Sequence, residues 1–351
     1  MVWNTPFDLY SSFHNINAYR VVDLILDQLV FLVLSTILFP GLFFTIPLAL
    51  FTQYMVRKIS ARYQNRMGPS YVGAFGVLQP FYDFWKLLRV KEIVKTRFSM
   101  IRTAELFFLM GLTFPIGALV FLPLSPFRMS SEFDVLIFFY MASVMPLISI
   151  IMASMAMPGP YTSIGVSRML SIVTIAEPAF FASIIIPVYL TTRGDGVLFM
   201  SLSGYVNVPR AWLNPPSMVI MFLCLIAYII SLQAKVMYQP FNIPEAEQEI
   251  IAGFETEFSG PLLALLRLSH DVDLAISILL GVYIFLGGPL PFRHLSIGGI
   301  LLLIVKYIVL VIVITLVKNV MGRYRIEQAL LQLFKYSLIP VITAAILVSI
   351  I

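Results

Sequence analysis

The sequence predicts an all-α integral membrane protein: about eight transmembrane helices, an amphipathic helix lying at the interface, and an acidic cytoplasmic loop. Three observations predict it. First, 60% of the 351 residues are hydrophobic and the mean hydropathy is +0.93, well above what a soluble domain of this length carries. Second, apolar runs of spanning length recur at 28–54, 104–124, 133–155, 169–190, 217–237, 272–290, 299–317 and 334–351. Third, the basic content of the links alternates: 57–102 holds ten Lys and Arg, whereas 125–132 and 287–298 hold one each. Because positive loops stay in the cytoplasm, the 57–102 link, the acidic run and the 318–335 link are expected there, with both termini outside the cell membrane.

Composition also excludes several classes. Charged residues make up 12%, and the net charge of +5 comes from basic residues beside the spans, so no nucleic-acid partner is implied. The single cysteine, Cys224, lies inside an apolar run, which leaves no disulfide framework and no cysteine-based metal or iron–sulfur site. The three histidines, His14, His270 and His294, are widely scattered. The mixed, polar N-terminus argues against a cleavable signal peptide. Residues 1–351 read as one membrane domain without internal repeats, with a basic cytoplasmic loop at 57–102 and an acidic one at 238–271. The 191–216 link reads as an ordinary outside loop.

The first span runs into Arg57, Lys58, Arg62 and Arg66 at helical spacing just beyond the membrane. Anionic lipid headgroups would attract such a ladder; it reads equally as a docking surface for a partner. After Gly68-Pro69, the stretch Phe75 to Leu88 is aromatic and apolar around Asp83 and Lys86, too short and polar to span, and fits an amphipathic interfacial helix. Asp83 and Lys86 are three apart and can pair on its polar face. Glu105 opens the second span as a helix-start acid. Met152, Met155 and Met157 read as packing residues.

Glu177 stands inside the apolar stretch MLSIVTIAEPAFFASIIIPVYL, about eight residues and so roughly 12 Å from the cytoplasmic end of its expected span. Pro178 frees a backbone carbonyl beside it, a break tolerated where polar groups or water are present. A carboxyl at that depth is suited to exchanging protons; a structural hydrogen bond is the alternative.

The run Tyr238 to Gly260, YQPFNIPEAEQEIIAGFETEFSG, concentrates five of the eighteen acids: Glu245, Glu247, Glu249, Glu255 and Glu257. Asn242 can cap a helix with Pro244 in its first turn, Glu245 and Glu249 then share a face, and Gly253 ends or bends it. The acids either solvate a loop or form a proton-loading group. His270, Asp271 and Asp273 close the run; a metal site there lacks a second ligand motif. Lys306 lies deep in the seventh span and reads equally as functional or as snorkelling to the interface.

Three blocks carry a family resemblance. The pattern R-K-x-x-A-R-x-Q-x-R-x-G-P-x-x-V-G-x-x-G-x-L-Q-P-x-x-D-x-x-K-L, from Arg57 to Leu87, closely resembles the membrane subunit that forms the quinone chamber of respiratory complex I, a family shared with membrane-bound nickel–iron hydrogenases and a membrane-bound sulfane reductase. Pro240 to Gly260 resembles that family's acidic loop, and Phe285-Leu286-Gly287-Gly288-Pro289 its late F-L-G-G signature. Tyr161, Gly165 and Arg168 match its entry into the fourth span. The resemblance implies a core membrane subunit that is not catalytic alone. It would anchor a peripheral redox arm through Arg57, Lys58, Arg62, Arg66, Asp83, Lys86 and Arg168, and couple electron transfer to proton or sodium translocation through Glu177 and the five loop glutamates; Lys306 joins that path from its position alone. It implies no cofactor in this chain, iron–sulfur clusters in peripheral and hydrogenase-like partner subunits, antiporter-like membrane partners, and a quinone as one candidate ligand.

The chain also departs from the quinone-reducing pattern. Val56 replaces a Glu, Tyr238 and Asn242 replace the Arg and Asp of R-A-P-F-D, and His270-Asp271 replaces Glu-Tyr. Gly322 and Ile326 interrupt the basic run that spans Lys318 to Glu327. These changes favour the ferredoxin-linked hydrogenase or sulfane-reductase branch. The alternatives are a quinone-reducing complex I and, in another class, a self-contained ion transporter, which would be expected to show inverted repeats.

Overall fold

The computed structural model describes residues 33–95, 97–124, 131–193, 200–293 and 296–350; His14 and His294 fall outside them. Among the described residues every regular element is helical. Eight segments are long and apolar enough to cross a membrane, so the chain is a multi-pass membrane protein. We number the principal helices α1 (Leu42–Tyr63), α2 (Gln79–Arg89), α3 (Ile101–Ala118), α4 (Asp134–Met155), α5 (Pro160–Thr192), α6 (Pro215–Lys235), α7 (Pro261–Leu286), α8 (Ile297–Val320) and α9 (Ile326–Ile350).

Three spans begin well before hydropathy suggests: α9 at Ile326 rather than 334, and α5 and α7 at prolines. Proline fits the first turn of a helix, where its missing N–H is not needed, and α5 and α7 both start at one, Pro160 after Gly159 and Pro261 after Gly260. The 33 residues of α5 make it roughly 50 Å long, well beyond a hydrocarbon core of about 30 Å. Its first turns therefore stand clear of the apolar layer. Glu177 accordingly lies about 25 Å along α5, not 12 Å from its start. Likewise the segment expected at 272–290 starts at Pro261, which puts His270, Asp271 and Asp273 on α7 rather than in a loop.

Helix α7 is the centre of the bundle: every residue from Asp271 to Phe285 is buried. Around it Phe180 of α5 stacks on Tyr228 of α6 at 5.1 Å, and Tyr228 meets Phe285 of α7 at 5.2 Å. Gly287 ends α7 in the left-handed region at φ 68°, a conformation that costs glycine nothing. Helix α4 contains a π-helical stretch at Tyr140–Val144, a local widening that often accompanies function.

Helix α2 forms in the stretch expected from its amphipathic pattern, but starts at Gln79 rather than Phe75, which lies in a 3-10 turn with φ 56°. Phe81, Tyr82 and Trp85 are exposed on one side, with Phe81 stacked on Trp85. The expected Asp83–Lys86 pair does not form. Asp83 instead accepts from Arg57 at 2.7 Å and from Gln79 at 2.9 Å, because packing of α2 against α1 turns its polar face toward the basic ladder, leaving Lys86 exposed.

The acidic run is not the helix that Asn242 and Pro244 suggest. Only Glu247–Ile250 completes an α-helical turn, followed by a 3-10 turn at Gly253–Glu255. Asn242 caps nothing, and its buried Oδ1 accepts no hydrogen bond from the protein. Tertiary packing explains the outcome: the loop lies across the protruding start of α5, where a Cβ at Gly165 would stand 2.5 Å from the backbone N of Phe254. Gly253 is equally constrained, since a Cβ there would fall 1.8 Å from the carbonyl oxygen of Pro244.

Candidate functional site

The ends of α1, α6, α7 and α8 and the acidic run line a half-open cavity of about 720 Å³. Its wall is unusually polar for a helix bundle. Arg57 and Arg66 come from the first basic segment, Tyr238, Asn242 and Glu245 from the start of the acidic run, Glu255 from its middle, Arg267, His270 and Asp271 from α7, and Lys318 from the last turn of α8. Charges this enclosed need partners or water. Lys318 Nζ sits 3.7 Å from the centre of the Tyr238 ring, a close cation–π contact. Arg267 stands 4.0 Å from Glu255.

The five loop glutamates divide into distinct environments. Glu245 and Glu255 face the cavity together. Desolvation, reinforced by the Glu255 charge and opposed by Lys318, Arg267 and Arg323, pushes the Glu245 carboxyl up to about 8. Desolvation also raises Glu255, with Arg267 opposing and Glu247 reinforcing. Burial beside Asp271 and Glu245 lifts the Tyr238 phenol above its ordinary range. Glu247 and Glu249 are exposed, and Glu249 accepts from Arg168 of α5 at 2.5 Å, which ties the loop to that helix. Glu257 is half-buried against Gly159.

Beneath the cavity a second polar group is sealed among α4, α5, α6 and α7. The hydroxyl of Ser143, in the π-helical stretch of α4, donates to Glu177 Oε2 at 2.7 Å. Glu177 Oε1 is buried and accepts nothing from the protein. Lys235, the last residue of α6, donates to Asp273 Oδ1 at 2.7 Å, Ser277 Oγ at 3.2 Å and the Ala142 carbonyl at 3.3 Å, and lies 4.8 Å from the centre of the Phe180 ring. Tyr228 donates to the Ser277 carbonyl. Lys235 adjoins Val236 of the cavity wall, and Asp273 is two residues past Asp271 of the same wall, but residues two apart on a helix point away from each other, so the sealed group is a neighbour of the cavity and not part of its wall.

The remaining sequence candidates divide between local structure and exposed surface. Lys58 donates to the carbonyls of Pro69 and Phe75 at 2.6 and 3.1 Å, holding the link that follows α1. Arg62 is exposed. Lys306 donates to the carbonyls of Leu286, Gly288 and Leu290 at 2.7, 2.9 and 2.9 Å, which uses all three ammonium protons on the C-terminal end of α7, the negative end of its dipole. That end is roughly 20 Å along α7 from Asp273, so Lys306 is not brought to Glu177. Among the described residues no three His, Cys, Asp or Glu side chains gather as a metal site.

Comparison with known proteins now decides the family. The family model described as NADH dehydrogenase matches residues 35–350. The chain belongs to the NADH dehydrogenase family. Its fold matches a solved chain from "the membrane-bound sulfane sulfur reductase (MBS), an archaeal respiratory membrane complex", with a TM-score of 0.70 and 25% identity over 92% of this chain and 98% of that one. The resemblance read from the Arg57 and Pro240 blocks therefore holds. In this NADH dehydrogenase family member the departures at Val56, Tyr238, Asn242, His270 and Asp271 all line the cavity. Sequence reasoning missed Lys235, the last residue of α6, and assigned Asp273 to the loop. The available signal was their setting: a lone Lys closing an apolar run of 20 residues, and an Asp about three turns into the next helix.

Proposed function

We propose that this chain is the core membrane subunit of a complex I-like respiratory oxidoreductase, in which it anchors the peripheral redox arm and couples electron transfer to proton or sodium translocation. The observation that supports the proposal is the charged cavity walled by the Arg57 segment, the acidic loop and Lys318, with the buried Glu177 carboxyl in the polar group beneath it. A redox event above the cavity changes its charge or shape, and Glu245 and Glu255 respond by taking up or releasing a proton, since two facing carboxyls at this burial titrate as a pair. Glu177 passes the change into the membrane, toward antiporter-like subunits. The exposed Arg62, Lys86 and Glu247, together with the loop carrying Met67, Tyr71 and Phe75, offer a charged and apolar face to iron–sulfur and hydrogenase-like partner subunits. The cavity side faces the cytoplasm, in keeping with the basic residues that surround it, and both termini face outward.

The altered cavity residues favour the ferredoxin-linked hydrogenase or sulfane-reductase branch over quinone reduction. The neighbouring fold in a sulfane sulfur reductase agrees with this. The test is turnover of the intact purified complex with reduced ferredoxin as donor and protons, polysulfide or a quinone analogue as acceptor. Turnover with protons or polysulfide and none with quinone supports the branch; inhibitor-sensitive quinone turnover refutes it. Ion transport by this chain alone in liposomes would refute the subunit reading in favour of a self-contained transporter.

A further inference from the structure

Three charged side chains meet beneath the cavity, and the coupling role proposed above uses only one of them. Glu177 from α5, Lys235 from α6 and Asp273 from α7 are 8%, 5% and 9% exposed. Lys235 is the cation of the group: its ammonium is bonded to Asp273, and Glu177 lies near enough for the charges of both to act on it. Glu177 has one oxygen committed to Ser143 and the other unpartnered. A site sealed this well tolerates one ammonium and one carboxylate as a neutral pair, but a second carboxylate would stand as an uncompensated buried charge. One of the two carboxyls must therefore carry a proton.

We propose that Glu177 and Asp273 exchange a single proton while Lys235 moves in the opposite sense to keep the site neutral. In one state Glu177 is the neutral acid and Lys235 pairs with Asp273, as the distances here show. In the other, the proton has left the Glu177 carboxyl and resides on Asp273, where Ser277 remains its neighbour, and the ammonium has swung to the free Oε1 of Glu177. No charge is created or lost, and Lys235 keeps its three protons throughout. The lysine stem reaches from the last residue of α6, so its head can pivot without moving a helix axis, and Phe180 offers its ring face beside the path. Asp273 thereby becomes the next carrier after Glu177, and the route passes from α5 to α7, the helix at the centre of the bundle. Lys235 is a positioning residue in this step.

This inference rests on the coupling reading, and the experiment separates the two. The native membrane complex is purified with Glu177→Gln, Asp273→Asn, Lys235→Arg, or the charge-neutral double change Lys235→Met with Asp273→Asn, which removes the buried pair as a unit and so preserves the fold. Subunit content checks assembly, redox turnover is measured in detergent, and ion uptake in proteoliposomes. Glu177→Gln, Asp273→Asn and the double variant are expected to keep redox turnover and lose at least ten-fold in ions moved per electron, whereas Lys235→Arg retains coupling. A redox-induced infrared difference spectrum should show one protonated carboxyl lost and another gained, with both features absent from Asp273→Asn. Full coupling in Asp273→Asn or in the double variant, alongside loss in Glu177→Gln, would overturn the exchange and leave the coupling role intact. Full coupling in Glu177→Gln would overturn both.

Discussion

The pair Glu245–Glu255 makes the acidic loop a pH-dependent element, and Glu245→Gln is the perturbation that isolates it. The Glu245 carboxyl titrates near 4.5 in an open, solvated loop but is held up to about 8 in the closed one. Between those values the closed loop retains a proton that the open loop has released, so raising the pH favours opening. A single proton of difference makes the opening constant rise by up to about ten-fold per pH unit across that window, and level off above about 8. Summed over the window this amounts to a few kcal/mol at about 1.4 kcal/mol per unit. Amide hydrogen exchange of residues 239–259, corrected for intrinsic rates, reads the opening constant directly. Glu245→Gln removes the titrating group while keeping its size, so the pH slope should shrink, and it should shrink further when Glu255→Gln is added. A wild-type loop whose opening is independent of pH between 5 and 8, or a slope unchanged in Glu245→Gln, refutes the reasoning.

Other perturbations follow from particular contacts. Lys306→Met strips three carbonyls at the end of α7 of their shared donor; the expected loss is on the order of 2 kcal/mol, visible as a lower melting temperature in detergent with ions moved per electron unchanged. Gly165→Val places a side chain against the Phe254 backbone, so the acidic loop should undock and become sensitive to proteolysis, whereas Ser167→Val on the exposed side of the same helix should not have this effect. The Arg57–Asp83 pair is about two-fifths exposed on both sides, and Asp83→Asn should cost less than about 1 kcal/mol in thermal unfolding. Lys58→Met, by contrast, frees the link held at Pro69 and Phe75 and should increase hydrogen exchange across 69–76 several-fold.

Much of this protein is written locally. Runs of apolar residues long enough to span, the alternation of basic links, and the aromatic pattern of α2 report the physics of a bilayer, in which every backbone group must be paired within its own segment. Such rules act through nearest neighbours, and so the number of spans, their order and the family were all present in the residues themselves. The Arg57 and Pro240 blocks likewise marked the segments that wall the cavity. Local signals also misled where packing had the final say. Asn242 and Pro244 carry the chemistry of a helix start, yet the loop they open is bent by its fit against Gly165 and closes no helix there. Asp83 had a partner at the right spacing in Lys86, and took Arg57 from another helix.

What only the tertiary structure decided is which charges share an environment. Glu245 and Glu255 were two members of a row of five and are now a facing pair, while Glu249 bonds to Arg168. Lys306, in sequence the deepest basic residue, is consumed by three carbonyls at the far end of α7. Lys235 and Asp273, 38 residues apart in sequence, form a sealed ion pair next to Glu177. The electrostatic state of a buried carboxyl depends on what lies within a few ångströms of it and on how much water has been removed. Neither quantity is a property of the neighbouring residues in the chain, and so both wait on the packing of the helices.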